Sequence, residues 1–165
     1  MKPEIKANIK TFAPYVFGGV GLYLIYKWFF KKSEQEQTAQ AVVDAQTNVI
    51  NQLSNTLKPS YDLSYYNTLA NIIYNSIAFS GVADNYTTTF QSLLKVLNQL
   101  DMALLIKAYG VRQRYFFGVP AGYPEDLITS VSNELRSEII NNPFSSKKYE
   151  LLNKWFAEHN IKERL

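Results

Sequence analysis

Residues 12–30 read FAPYVFGGVGLYLIYKWFF, and this stretch decides the architecture expected of the chain. No charged residue falls between Thr11 and Tyr26. A bilayer core of about 30 Å is spanned by roughly 20 apolar helical residues. The segment therefore predicts a single membrane-spanning helix. Its anchoring side chains are Phe12, Tyr15, Phe17, Leu22, Tyr23, Leu24, Ile25, Trp28, Phe29 and Phe30. The tyrosines and Trp28 suit the aromatic belts at membrane–water boundaries. Lys27 reaches the headgroups by its long stem, and Lys31-Lys32 closes the segment. Pro14 falls in the first turn, where a missing N–H costs little. No small-residue cleavage site follows the apolar run, unlike a secretory signal peptide. Gly18, Gly19 and Gly21 weaken a soluble helix, whereas in a bilayer they let a second helix approach closely. They mark a lateral contact, with a homo-oligomer as one outcome, or are neutral. Lysines flank the span on both sides (Lys2, Lys6 and Lys10 before it; Lys31 and Lys32 after it), so charge leaves the orientation open.

The whole chain has 165 residues and a formal charge of +3. That length allows one compact domain beyond the anchor. The absence of cysteine excludes a disulfide scaffold, thiolate zinc sites and a cysteine nucleophile. The basic residues form no nucleic-acid stripe beyond Arg112, Arg114, Lys162 and Arg164, so no nucleic-acid partner is expected.

Three regions follow from the change in composition: residues 1–32 as flank and transmembrane anchor, 33–60 as a polar amphipathic stalk helix, and 61–165 as a helical bundle. In the second, Ala39, Val42, Val43, Val49, Ile50, Leu53 and Leu57 make a narrow apolar stripe at helical spacing, with Gln46 inside it, which suits a stalk, a coiled-coil partner or a helix packed on the domain. In the third, apolar periodicity predicts helices over 63–79, 87–98, 102–109 and 124–139, and a last one after Ser145 or Ser146. Asp101 is the expected N-cap of the third of these, with Gly110 as its stop. Pro124 is expected to open the next, with Glu125 and Asp126 in its first turn. No alternating strand pattern stands out, and residues 115–124 read as an aromatic loop. The fold class expected is all-α.

Leu69-Ala70-x-x-Ile73-Tyr74-x-x-Ile77, Phe90-x-x-Leu93-Leu94-x-x-Leu97, Leu105 to Arg112 and the run from Asp126 to Glu134-Leu135 together resemble the four main helices of one annexin-type repeat. The resemblance covers under half the chain and implies a compact helical bundle with a glycine-containing loop, here Gly81 to Asp84. The family's calcium loop carries a second glycine where this chain has Ala83. Too few oxygen ligands are nominated for calcium, so neither metal nor cofactor is expected.

No phosphate loop, nucleophile elbow or paired metal-ligand histidines appear. The single histidine, His159, reads as a helix-end residue. Arg112 and Arg114 are set either to bind an acidic partner or headgroup, or to pair with Glu134 or Glu138 inside the bundle. With Tyr115, Phe116 and Phe117 they make the interaction candidates, since adjacent large apolar residues do not all face one core.

The function expected is non-catalytic: a single-pass membrane protein holding a protein assembly to a bilayer. The plan is similar to that of small proteins linking the capsid shell to the internal membrane in membrane-containing phage virions. A bacterial envelope scaffold fits equally. The expected partners are a lipid bilayer and a capsid shell or envelope scaffold. Two alternatives stand beside it: a tethered, annexin-like lipid-binding module, and a membrane-tethered hydrolase using carboxylates among Glu125, Asp126, Glu134 and Glu138.

Overall fold

The computed structural model describes residues 34–80, 85–116, 118–141 and 146–165. The expected anchor at 12–30 lies outside them. Among the described residues no helix is long and apolar enough to cross a membrane.

Helix α1 covers residues 34–53. Ala39, Val43 and Gln46 are buried along one stripe, with Val42, Val49, Ile50 and Leu53 half-buried beside them. Val43 belongs to the main hydrophobic core, and residues 36–165 form one compact unit. The helix thus packs on the bundle, one of the three roles its stripe allowed. It stops at Leu53, whose carbonyl accepts from Thr56 and Leu57, before Pro59.

Helix α2 (Leu63–Ile77) buries Tyr66, Leu69, Ala70, Ile73 and Ile77. That is the face its periodicity predicted, except that Leu63 is 65% exposed. The expected helix end at Phe79 is instead strand β1 (Phe79–Ser80). Helix α3 (Tyr86–Leu93) begins at Asn85, whose side chain accepts from the Thr88 amide at 3.0 Å. It is shorter than expected and ends before Asn98.

Helix α4 (Gln99–Tyr109) is the centre of the bundle and buries Leu100, Met102, Ala103, Leu105, Ile106 and Tyr109. A helix apolar on nearly all sides belongs in a core. Its cap is Asn98 rather than Asp101: the Asn98 side chain accepts from the Asp101 amide at 3.0 Å. Asp101, three residues on, answers by accepting from the Leu97 amide and the Asn98 side chain. This differs from a capping box, because the returning bonds come from the Leu97 amide and the Asn98 side chain rather than from the cap's own amide. Gly110 ends the helix with φ +64°.

The all-α expectation fails at residues 112–125. Strands β2 (Arg112–Phe116) and β3 (Val119–Glu125) form an antiparallel hairpin where an aromatic loop was expected, and β1 adds to β2 in parallel, in the order β1-β2-β3. Gly118 turns the hairpin at φ +80°. Pro120 and Pro124 hide the strand signal, because proline removes a ladder donor. They are tolerated because β3 is an edge strand, and there they also discourage pairing with another chain.

Pro124 and Glu125 close β3 instead of opening a helix. Asp126 caps α5 (Leu127–Asn141): its carboxylate accepts from the Ile128 and Thr129 amides at 2.9 and 3.2 Å and from the Thr129 hydroxyl at 2.7 Å. Helix α6 (Ser146–Glu158) buries Leu152 and Phe156. It ends in a Schellman motif. Asn160 takes φ +53°, the Ile161 amide returns to the Phe156 carbonyl and the Asn160 amide to that of Ala157. Ile161 and Leu165 then bury in the core, so the tail is held down.

Candidate functional site

Among the described residues, a cluster of ionisable side chains lies where the hairpin meets α5. Arg114 on β2 pairs with Glu125 on β3, Nε to Oε2 at 3.2 Å, and its Nη1 contacts Glu134 Oε1 on α5. Glu134 is 4% exposed. The Tyr86 hydroxyl donates to Glu134 at 3.4 Å, and the Asn133 side chain donates to Glu125 at 2.8 Å. On α5, Asp126, Ser130 and Glu134 follow at four-residue intervals and are all buried. They form a polar seam beside the buried Leu127 and Val131. Of the two roles the sequence left open for Arg114, the structure shows the internal pairing with Glu134. The side chain of Glu138 lies outside the described residues.

Arg112 is also engaged internally. Its Nε donates to the Tyr109 carbonyl at 2.6 Å, Nη2 to the Ala108 carbonyl at 3.3 Å, and Nη1 to Asn71 at 2.9 Å. The guanidinium sits about 5 Å from the ring centres of Tyr74 and Tyr109 (5.0 and 4.9 Å). A cation closing the last carbonyls of α4 is favoured by the helix dipole, and the aromatic faces add to it. Tyr74 in turn donates to the Gln113 carbonyl at 2.7 Å. The Gln113 side chain donates across the hairpin to the Ala121 carbonyl at 3.1 Å. Burial pushes the Tyr109 hydroxyl up to about 12, and burial followed by the neighbouring Tyr115 raises that of Tyr74. Tyr115 is half-buried in β2. Phe117 and the side chain of Phe116 lie outside the described residues. Gly118 to Pro120 at the hairpin tip are exposed, Val119 by 65%.

A second polar node was missed at the sequence level. Asp101 is fully buried. Its carboxylate accepts from the Tyr66 hydroxyl at 2.5 Å, the Ser60 amide at 2.9 Å, the Leu97 amide at 3.1 Å and the Asn98 side chain at 3.2 Å. It thereby pins the α1–α2 connection and the α3–α4 turn to the start of α4. Burial first, and then this carboxylate, raise the Tyr66 hydroxyl well above the ordinary tyrosine value. The signal available was Asn98-x-x-Asp101 ahead of an apolar run, which the choice of Asp101 as cap passed over.

His159 lines a cleft of about 620 Å³ between the end of α1 and the C-terminal tail, with Val49, Leu53, Leu57, Leu97 and Glu163 among its walls. Its ring stacks on Trp155 at 3.8 Å, and Nδ1 lies 2.9 Å from the Trp155 carbonyl. A carbonyl only accepts, so Nδ1 carries the proton. This is the helix-end role expected of it. Residues 81–84, the candidate ion loop, lie outside the described residues. Among the described residues no three acidic or histidine side chains are grouped as metal ligands would be.

No protein-family model, curated protein or solved structure matches the chain.

Proposed function

We propose that the chain is a non-catalytic tether, anchored in a bilayer by residues 12–30 and holding a protein assembly through the domain at 36–165. The observation that carries this reading is a pairing of opposites. An uncharged run from Thr11 to Tyr26 precedes a domain whose main ionisable cluster is internally satisfied. Arg114 pairs with Glu125 and Glu134, two of the carboxylates a hydrolase would draw on, Asp126 caps a helix, and Arg112 closes another. Groups bound this way serve rigidity, since a general acid or base needs a proton path to substrate. The braced hairpin supports the docking role. Arg114 fixes its base to α5, and its tip exposes Val119 on a stiff support. Rigid presentation lowers the entropy cost of binding. A capsid shell lying over an internal membrane, or an envelope scaffold, fits such a tether.

The test uses native membranes or particles. Retention of the full chain after alkaline carbonate extraction is expected, and its loss would remove the anchor. Cross-links from the domain to shell or scaffold proteins are expected, concentrated near Val119. Cross-links confined to the chain itself and to lipid would refute the tether.

A further inference from the structure

The cleft that His159 lines has two kinds of wall. Val49 and Leu53 of α1, Leu57 just after it and Leu97 of the α3–α4 turn give it an apolar side, and Leu97 is 41% exposed. The C-terminal tail gives it a polar side that is held in place. The buried Gln99 side chain accepts from the Lys162 amide at 2.6 Å and donates to the two Glu163 carboxylate oxygens at 3.0 and 2.9 Å. Glu163 is thus a half-buried carboxylate positioned by a neutral amide. Among the described residues no ammonium or guanidinium pairs with it. Arg164, next in the chain, turns its guanidinium to the Ile161 and Glu163 carbonyls, both at 2.6 Å.

Volume and charge together select the occupant. A cleft of about 620 Å³ has the size of a small-molecule site, and an apolar wall facing a few fixed polar groups suits a hydrocarbon body with one polar head. That head has to donate. The cleft offers Glu163, and it offers His159, whose Nδ1 is committed to the Trp155 carbonyl so that Nε2 is the remaining acceptor of the ring. His159 and Asn160 also follow the last turn of α6, at the negative end of its dipole. Glu158 and Lys162 stand on the same walls, both exposed and opposite in charge, and Glu158 already has Lys154 at 3.8 Å. Exposed charges of this kind contribute little. The half-buried Glu163 therefore decides the sign, because attraction to a cation strengthens as the dielectric falls. We infer that the cleft binds a small organic cation, a primary ammonium on a compact hydrocarbon body, with its charge on Glu163 and its body against Leu53, Leu57 and Leu97. This goes beyond the tether reading and does not depend on it.

The chain has one histidine, so isotopic labelling of histidine gives one set of ring signals in a magnetic-resonance spectrum, from the wall of the cleft. The full chain in phosphatidylcholine nanodiscs at fixed pH is titrated with isopentylammonium. Isopentanol and isovalerate serve as its neutral and anionic counterparts. Saturable displacement of the His159 signals is expected with the ammonium, and little with the other two. Ammonium chloride, a charge without the body, leaves them in place. One more methylene, in isohexylammonium, tightens binding roughly four-fold. Glu163→Gln keeps an oxygen for the Gln99 amide and weakens binding about ten-fold. Lys162→Gln removes the opposing charge and strengthens it about two-fold. Displacement that does not saturate, that the alcohol matches, or that survives Glu163→Gln undiminished overturns the assignment.

Discussion

Asp101→Ala is the substitution whose cost follows most directly from the structure. The carboxylate is fully buried and accepts from four donors. A hydrogen bond to a charged group contributes about 1.5–3 kcal/mol, and a buried donor left without its acceptor costs about 1–3 kcal/mol. The four do not add. Ser60 and Leu97 are exposed residues, so water replaces much of what their amides lose. Tyr66 is 2% exposed, and its hydroxyl loses a 2.5 Å bond with no water at hand. A further amount, typically about 0.3–1 kcal/mol, goes with the negative charge in the first turn of α4. The expected total is about 3–5 kcal/mol. Urea unfolding of the full chain in detergent, followed by circular dichroism, measures it. Tyr66→Phe completes a double-mutant cycle, with an expected coupling of about 1.5–3 kcal/mol. A cost below about 1 kcal/mol, or no coupling, would show that Asp101 is not what joins the α1–α2 connection to α4.

Arg114→Ala leaves Glu125 and Glu134 facing each other without a cation and is expected to cost about 3–5 kcal/mol. Arg114→Met combined with Glu125→Gln and Glu134→Gln should recover most of that loss in the same unfolding assay. Alkaline pH gives a signed prediction at Tyr109. Its folded value is about 12 against an ordinary 10, so between pH 10 and 12 the unfolded chain releases a proton that the folded chain keeps. Its contribution is therefore fully present below pH 10 and falls as pH rises to 12, by about 2–3 kcal/mol. Tyr109→Phe should flatten that limb of stability against pH. On α6, Leu152→Ala should cost about 2–5 kcal/mol, while the exposed Leu151→Ala should stay within about 0.5 kcal/mol, as read by thermal unfolding. Gly118→Ala forces a side chain to φ +80° and should cost about 1–2 kcal/mol without changing the folded far-ultraviolet spectrum.

Local periodicity was enough for the helices. Tyr66, Leu69, Ala70, Ile73 and Ile77 recur at three and four residues, so the buried face of α2 was legible from the order of residues alone. The stop at Gly110 and the start of the last helix at Ser146 were legible for a similar reason, since caps and breakers act within one turn. The uncharged run from Thr11 to Tyr26 is equally local and remains the basis of the membrane reading.

What tertiary structure decided is what depends on distant partners. Strand β2 is a strand because Phe79 pairs with Tyr115 in parallel and Arg114 with Ala121 across the hairpin. Its short length and the prolines of β3 give no local signal to match that pairing. Arg112 and Arg114 are two residues apart and chemically alike. One nevertheless closes α4 against Tyr74 and Tyr109, and the other binds carboxylates on β3 and α5. Asp101 has the composition of a solvated cap and becomes a buried acceptor because Tyr66 and Ser60, 35 and 41 positions away, converge on it. Helix faces are set by backbone geometry over a few residues. The role of a charge is set by whatever groups folding places around it, and those come from elsewhere in the chain.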